Sequence, residues 1–77
     1  MDKAIKVGDL ACFYVCGERY EHTVTAVIGP KSVEVAQGYP LDKVYGPREI
    51  ATLRKNGRWI RKGDGHNAGY YYIETRR

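Results

Sequence analysis

The chain is 77 residues long, room for one domain and too short for a second core. Its apolar share of 43% and charged share of 29% are ordinary, which excludes a disordered tail, and no apolar run reaches the roughly 18–20 residues of a membrane-spanning helix. The charge is uneven: residues 1–38 carry net −1 and residues 39–77 net +5, so the whole-chain +4 lives in the second half.

A clustered basic excess favours an anionic partner such as nucleic acid, an acidic protein face or an anionic lipid surface. The plain alternative is a protein that its lysines and arginines keep dispersed. The opening MDKAIKVGD has no hydrophobic signal region, so a cytoplasmic location is expected, with no membrane partner. A domain this small buries only about 60–65% of its unfolded surface, so a thin stability margin is expected.

In chain order, KVGD (6–9) offers a Gly-Asp turn before a first strand over 10–16, LACFYVC. Cys12 and Cys16 fall four apart on that strand, which puts about 13 Å between their Cα atoms. A direct disulfide needs about 7 Å or less, and no Cys-x-x-Cys knuckle seeds a zinc site, so two buried free thiols are expected. EHTVTAVI (21–28) alternates and is rich in β-branched residues, with Val24, Ala26 and Ile28 on one face. His22, at its start, reads as a surface or boundary residue. GPKS places Pro30 at the second turn position, and SVEVA follows with Val33 and Val35 inward.

QGYPLDKVYGP (37–47) holds two prolines that bar it from a central strand, leaving room for one helical turn around Leu41–Tyr45. REIATLRK, Asn56-Gly57 and RWIRK then make the clearest hairpin, since Asn-Gly suits a two-residue turn with positive φ at both positions. GDGHNAG (63–69) is too glycine-rich for an ordered element, and YYYIE (70–74) reads as the last strand. Tyr14 is expected in the core, with Tyr20, Tyr39 and Tyr45 in loops. Five to six short strands with no useful helix predict an all-β, small SH3-like antiparallel barrel occupying residues 1–77 as one domain, because closure hides the sheet edges.

The two-residue turn pairs Arg54 with Trp59, Leu53 with Ile60 and Thr52 with Arg61. Leu53 and Ile60 then face inward, and Trp59 stands outside opposite Arg54. An outward indole among Arg54, Lys55, Arg58, Arg61 and Lys62 is what a single-stranded nucleic-acid platform needs, the ring stacking a base and the cations taking phosphates. The alternative has Trp59 in the core. Alternation along Tyr70–Tyr72 exposes at least one ring, which suits a protein partner equally.

No catalytic residue, metal ligand or cofactor is expected. GDGHNAG lacks the Gly-Lys-Ser/Thr ending of a phosphate loop, and Asp64 and Asn67 lack the spaced acids of a calcium loop. His66 has no partner set beside it by sequence.

KVGDLACFYV followed by TVTAVIGPKSVEV resembles the opening of SH3-like small barrels of the KOW and Tudor types. TLRKNGRWIRKGDG with its following tyrosines is similar to a segment of small uncharacterised proteins of tailed bacteriophages and prophages. That resemblance implies a phage accessory protein acting in the bacterial cytoplasm, and no site residue comes with it. The function expected is a non-enzymatic binding module that contacts nucleic acid through Arg54, Lys55, Arg58, Trp59, Arg61 and Lys62, with Arg76 and Arg77 assisting. The alternative is a module that binds or inhibits a host protein. A third route is self-association by adding YYYIE to a neighbour's sheet.

Overall fold

A computed structural model describes residues 4–61 and 69–74. Six strands, β1 (Leu10–Val15), β2 (Glu18–Gly29), β3 (Ser32–Gln37), β4 (Tyr45–Leu53), β5 (Trp59–Arg61) and β6 (Tyr70–Glu74), pair in chain order. β6 returns to β1, and the sheet closes as an antiparallel barrel. The chain is therefore all-β, and its architecture is that of a small SH3-like barrel. One 3-10 turn, Leu41–Lys43, leads into β4.

The interior follows from the two-residue alternation of strands. Ala11, Val24, Val33, Val35, Ala51, Trp59 and Tyr71 make the buried cluster, with Ile5, Phe13, Leu53 and Ile73 packed against it. Small residues from β1 and β4 leave room for the two large rings. The GPKS turn forms as expected, with Gly29 opposite Ser32, and Val33 and Val35 are fully buried.

Bulges explain where alternation misleads. The β2–β3 register shifts between Val24 and Ala26 and again between Val27 and Gly29, and each shift bends the strand and resets its faces. Val27, not Ala26, stands opposite inward Val33, and Ile28 is left exposed. Pro47 sits inside β4, against expectation. The first part of β4 is bonded to β3 alone, because β5 pairs only with Ala51–Leu53. Pro47 also falls in the register irregularity between the Val35–Glu49 and Gln37–Tyr45 pairs, where strand proline is tolerated.

Tyr14 lies on the outer face rather than in the core, since it alternates with the inward pair Ala11 and Phe13. Tyr20 and Tyr45 belong to strands, not loops. His22 lies mid-strand and buried, not at a boundary. Both cysteines are free, but Cys16 is exposed and lies past the end of β1, at φ 51° in the turn to β2. β6 is paired with β1 on one side along Leu10–Tyr14 and, among the described residues, with β5 on the other through Trp59 and Tyr71 alone.

Candidate functional site

The tip of the β4–β5 hairpin has a three-residue loop, not a two-residue one. Arg54 N–H donates to the Arg58 carbonyl at 2.8 Å, and Gly57 N–H donates to the Arg54 carbonyl at 3.0 Å. Only Gly57 takes a positive φ, +85°, while Asn56 does not. This is a type I turn closed by a left-handed glycine. The Asn56 Oδ1 accepts the Arg58 N–H at 3.1 Å, the two-residues-on bond that asparagine brings to turns.

One extra loop residue slides the register by one, and a one-residue slide exchanges the faces. Leu53 pairs with Trp59, Thr52 with Ile60 and Ala51 with Arg61. Trp59 is therefore turned into the barrel and is 5% exposed. The outward stacking platform expected of it is overturned.

The six residues named for nucleic-acid contact do not share a surface. Arg54, Lys55 and Arg58 are exposed at the tip. Arg61 is half-buried on the core side with Ala51, and Lys62, like Arg76 and Arg77, lies outside the described residues. His66, Asp64 and Asn67 lie outside them as well. Among the described residues, no carboxylate forms an ion pair with Arg54, Lys55 or Arg58.

A different aromatic surface emerges on the outer face of β1 and β6. Tyr14 is paired with Tyr70 across the two strands, and their rings stack with centroids 5.5 Å apart. Tyr72 meets Tyr14 and Tyr70 edge-on at 6.0 and 5.4 Å. The Arg58 guanidinium reaches back from the tip and lies 4.1 Å from the Tyr70 ring centre, a cation–π contact. Beside the rings, Arg19 donates to the sulfur of buried Cys12 at 3.1 Å and pairs with Glu21 at 3.8 Å. Hydrogen bonds that it donates to Tyr14 and Cys12 hold the pKa of the Arg19 guanidinium above its ordinary value. Glu74 approaches the same sulfur at 3.7 Å. The face thus mixes rings, guanidiniums and carboxylates. Alternation in Tyr70–Tyr72 foretold at least one outward ring, and two point outward; the stack with Tyr14 depends on the β1–β6 register, which no local pattern encodes.

His22 is the buried polar side chain on the inner side, packed edge-on to Phe13 and Tyr71 at 5.4 and 5.2 Å. Its Nδ1 is buried with no hydrogen-bond partner among the described residues. Burial lowers its pKa from the ordinary 6.5, the charge of Arg61 lowers it further, and a backbone bond at Tyr20 opposes both. A base with a depressed folded pKa loses stability as acid is added, because the unfolded chain takes the proton first. Stability should fall as pH drops below about 6.5 and level off once the folded imidazole is also charged. The melting temperature of His22→Gln should accordingly drop less than that of the wild type between about pH 7.5 and about pH 5. Equal drops would show that His22 carries no such load.

No group of three or more His, Cys, Asp or Glu side chains is placed to hold a metal ion among the described residues. No protein-family model, curated protein or solved structure matches the chain.

Proposed function

We propose that this protein is a non-enzymatic module that binds another protein through the outer face of Tyr14, Tyr70 and Tyr72, with Arg58 at its rim. One observation carries the reading: three tyrosine rings in mutual contact on an outer strand face, one of them capped by a guanidinium. Tyrosine and arginine supply most of the energetic anchors in protein interfaces, because each combines a large contact area with directed polar groups. The carboxylates of Glu21 and Glu74 beside the rings repel a polyanion but suit a partner of mixed charge. The setting proposed, on the Leu-Arg-x-Asn-Gly-Arg-Trp resemblance alone, is a phage or prophage product meeting a protein of its bacterial host.

The second reading is nucleic-acid binding by the tip. It is favoured by Arg54, Lys55 and Arg58, exposed together on one short loop. It has lost its base-stacking ring.

Capture from nuclease-treated bacterial lysate, followed by titration of the captured protein, separates the two. Tyr72→Ala is expected to weaken that complex by about tenfold or more, as truncating an interface anchor does. Arg54→Ala should change it less than threefold by the same reasoning about rim charges. Capture abolished by nuclease would overturn the protein reading. So would oligonucleotide binding whose log–log salt slope lies near −2 to −3, the value for about three neutralised phosphates.

A further inference from the structure

The barrel is not apolar along its whole axis. Cross-strand partners share a face, and the register carries a set of polar and aromatic residues onto the core side at one end. Phe13 pairs with Tyr20, His22 with Gln37, Gln37 with Tyr45, and Arg61 with buried Ala51. At the other end the inward positions are aliphatic, with Val33, Leu53 and Ile5 closing the interior.

At the polar end an open cavity of about 390 Å³ is lined by Phe13, Tyr20, His22, Gln37, Tyr45 and Arg61 among others, with His22 buried and Tyr20, Gln37 and Tyr45 exposed. That volume is at the small end of ligand pockets, which favour the mouths of barrels. It admits a molecule of one or two rings and not a folded partner.

The wall chemistry narrows the class. Phe13, Tyr20 and Tyr45 make part of its wall aromatic, and a planar guest meets such rings in the offset or edge-on modes that rings prefer. Arg61 lies with its guanidinium 5.8 Å from the Phe13 ring centre, presenting a planar fork that matches a carboxylate or phosphate. Glu21 also borders the cavity, but its carboxylate is paired with Arg19 at 3.8 Å, so it offsets Arg61 less. His22 forms part of the wall as a desolvated ring between Phe13 and Tyr71. His22 keeps a polar ring in the interior of so small a domain, where aliphatic core would stabilise it more.

We propose that the open end of the barrel binds a small planar molecule carrying one anionic group, a carboxylate or a phosphate, stacked among Phe13, Tyr20 and Tyr45 and held by Arg61. The site is separate from the tyrosine face on the outside of β1 and β6. It stands or falls independently of protein binding.

The test is a two-dimensional NMR titration of the whole chain with benzoate, phenyl phosphate, phenol and inorganic phosphate. Benzoate or phenyl phosphate should saturate shifts in the Gln37 side-chain amide, the Arg61 Nε–H and the His22 ring. Whichever of the two binds tighter identifies the anion. Phenol and inorganic phosphate should each bind about tenfold more weakly or worse, since each lacks one half of the recognition. Arg61→Gln should erase the advantage of the anionic probes over phenol, whereas Arg61→Lys should keep part of it. The wild-type titration alone decides the matter if Arg61→Gln fails to fold. The proposal is overturned if no probe shifts these signals by about 10 mM, far above a typical pocket affinity. It is overturned equally if phenol matches benzoate, or if inorganic phosphate matches phenyl phosphate.

Discussion

Replacing Trp59 by alanine is expected to unfold the domain or leave it on the edge of unfolding at room temperature. The indole is 5% exposed and belongs to the central cluster with Val24, Val33, Val35 and Tyr71. Truncating a buried tryptophan costs about 3–5 kcal/mol, and a core of this size rarely supplies more than about 3–5 kcal/mol in total. The loss and the whole margin are thus equal in scale. Trp59→Phe, which refills much of the volume, should keep a cooperative transition. Circular dichroism melts compare the two variants, and the wild-type indole provides its own control. Its emission should be blue-shifted and shielded from iodide. Red-shifted, readily quenched emission from a folded wild type would place the ring outside and reinstate the stacking platform.

Gly38→Ala should cost roughly 2–5 kcal/mol, the sum of left-handed backbone strain and overpacking against atoms that cannot yield. Gly38 has φ +99°, and a Cβ there would lie 2.5 Å from the Lys43 carbonyl oxygen and 3.2 Å from the Val44 Cα. Its own backbone is pinned, the N–H donating to Glu21 at 3.0 Å and the carbonyl accepting the Thr23 hydroxyl at 2.6 Å. Gly57, at φ +85°, is the internal comparison, because nothing lies within 4 Å of the corresponding Cβ. Gly57→Ala should cost only the conformational part, about 1–2 kcal/mol. Urea midpoints of the two variants test the difference. Equal losses would mean that the Lys43 carbonyl does not crowd Gly38.

Local chemistry made much of the barrel legible. Pro30 at its turn position, the inward Val33 and Val35 after it, and the proline before the short turn at Leu41–Lys43 each call for what forms there. The hairpin at Asn56-Gly57 shows where such reading stops. A two-residue and a three-residue loop both accept that dipeptide, the first with Asn56 and Gly57 both left-handed and the second with the glycine alone. The choice between them shifts the register by one and decides whether Trp59 or Ile60 looks inward. What selects the longer loop is the volume at the barrel centre, left by Ala11 and Ala51 and filled by the indole. That volume is assembled from β1, β4, β5 and β6 and has no local trace. The same slide put Arg61 on the core side, so one unreadable choice dispersed the expected basic surface and furnished the polar end of the barrel. The tyrosine face was half legible: alternation gave at least one outward ring in Tyr70–Tyr72, and only the β1–β6 pairing brings Tyr14 beside them.

The barrel is fastened unevenly around its circumference. β1 and β6 are joined along Leu10–Tyr14, but among the described residues β5 and β6 meet in one residue pair, Trp59 with Tyr71. The two largest side chains of the interior therefore also act as the latch of the cylinder. Release of that single pair would uncover two unsatisfied strand borders at once, which are templates for pairing with a second chain. Aggregation and strand exchange in this molecule should begin at that latch, and weakening the packing around the indole should promote them before secondary structure is lost elsewhere.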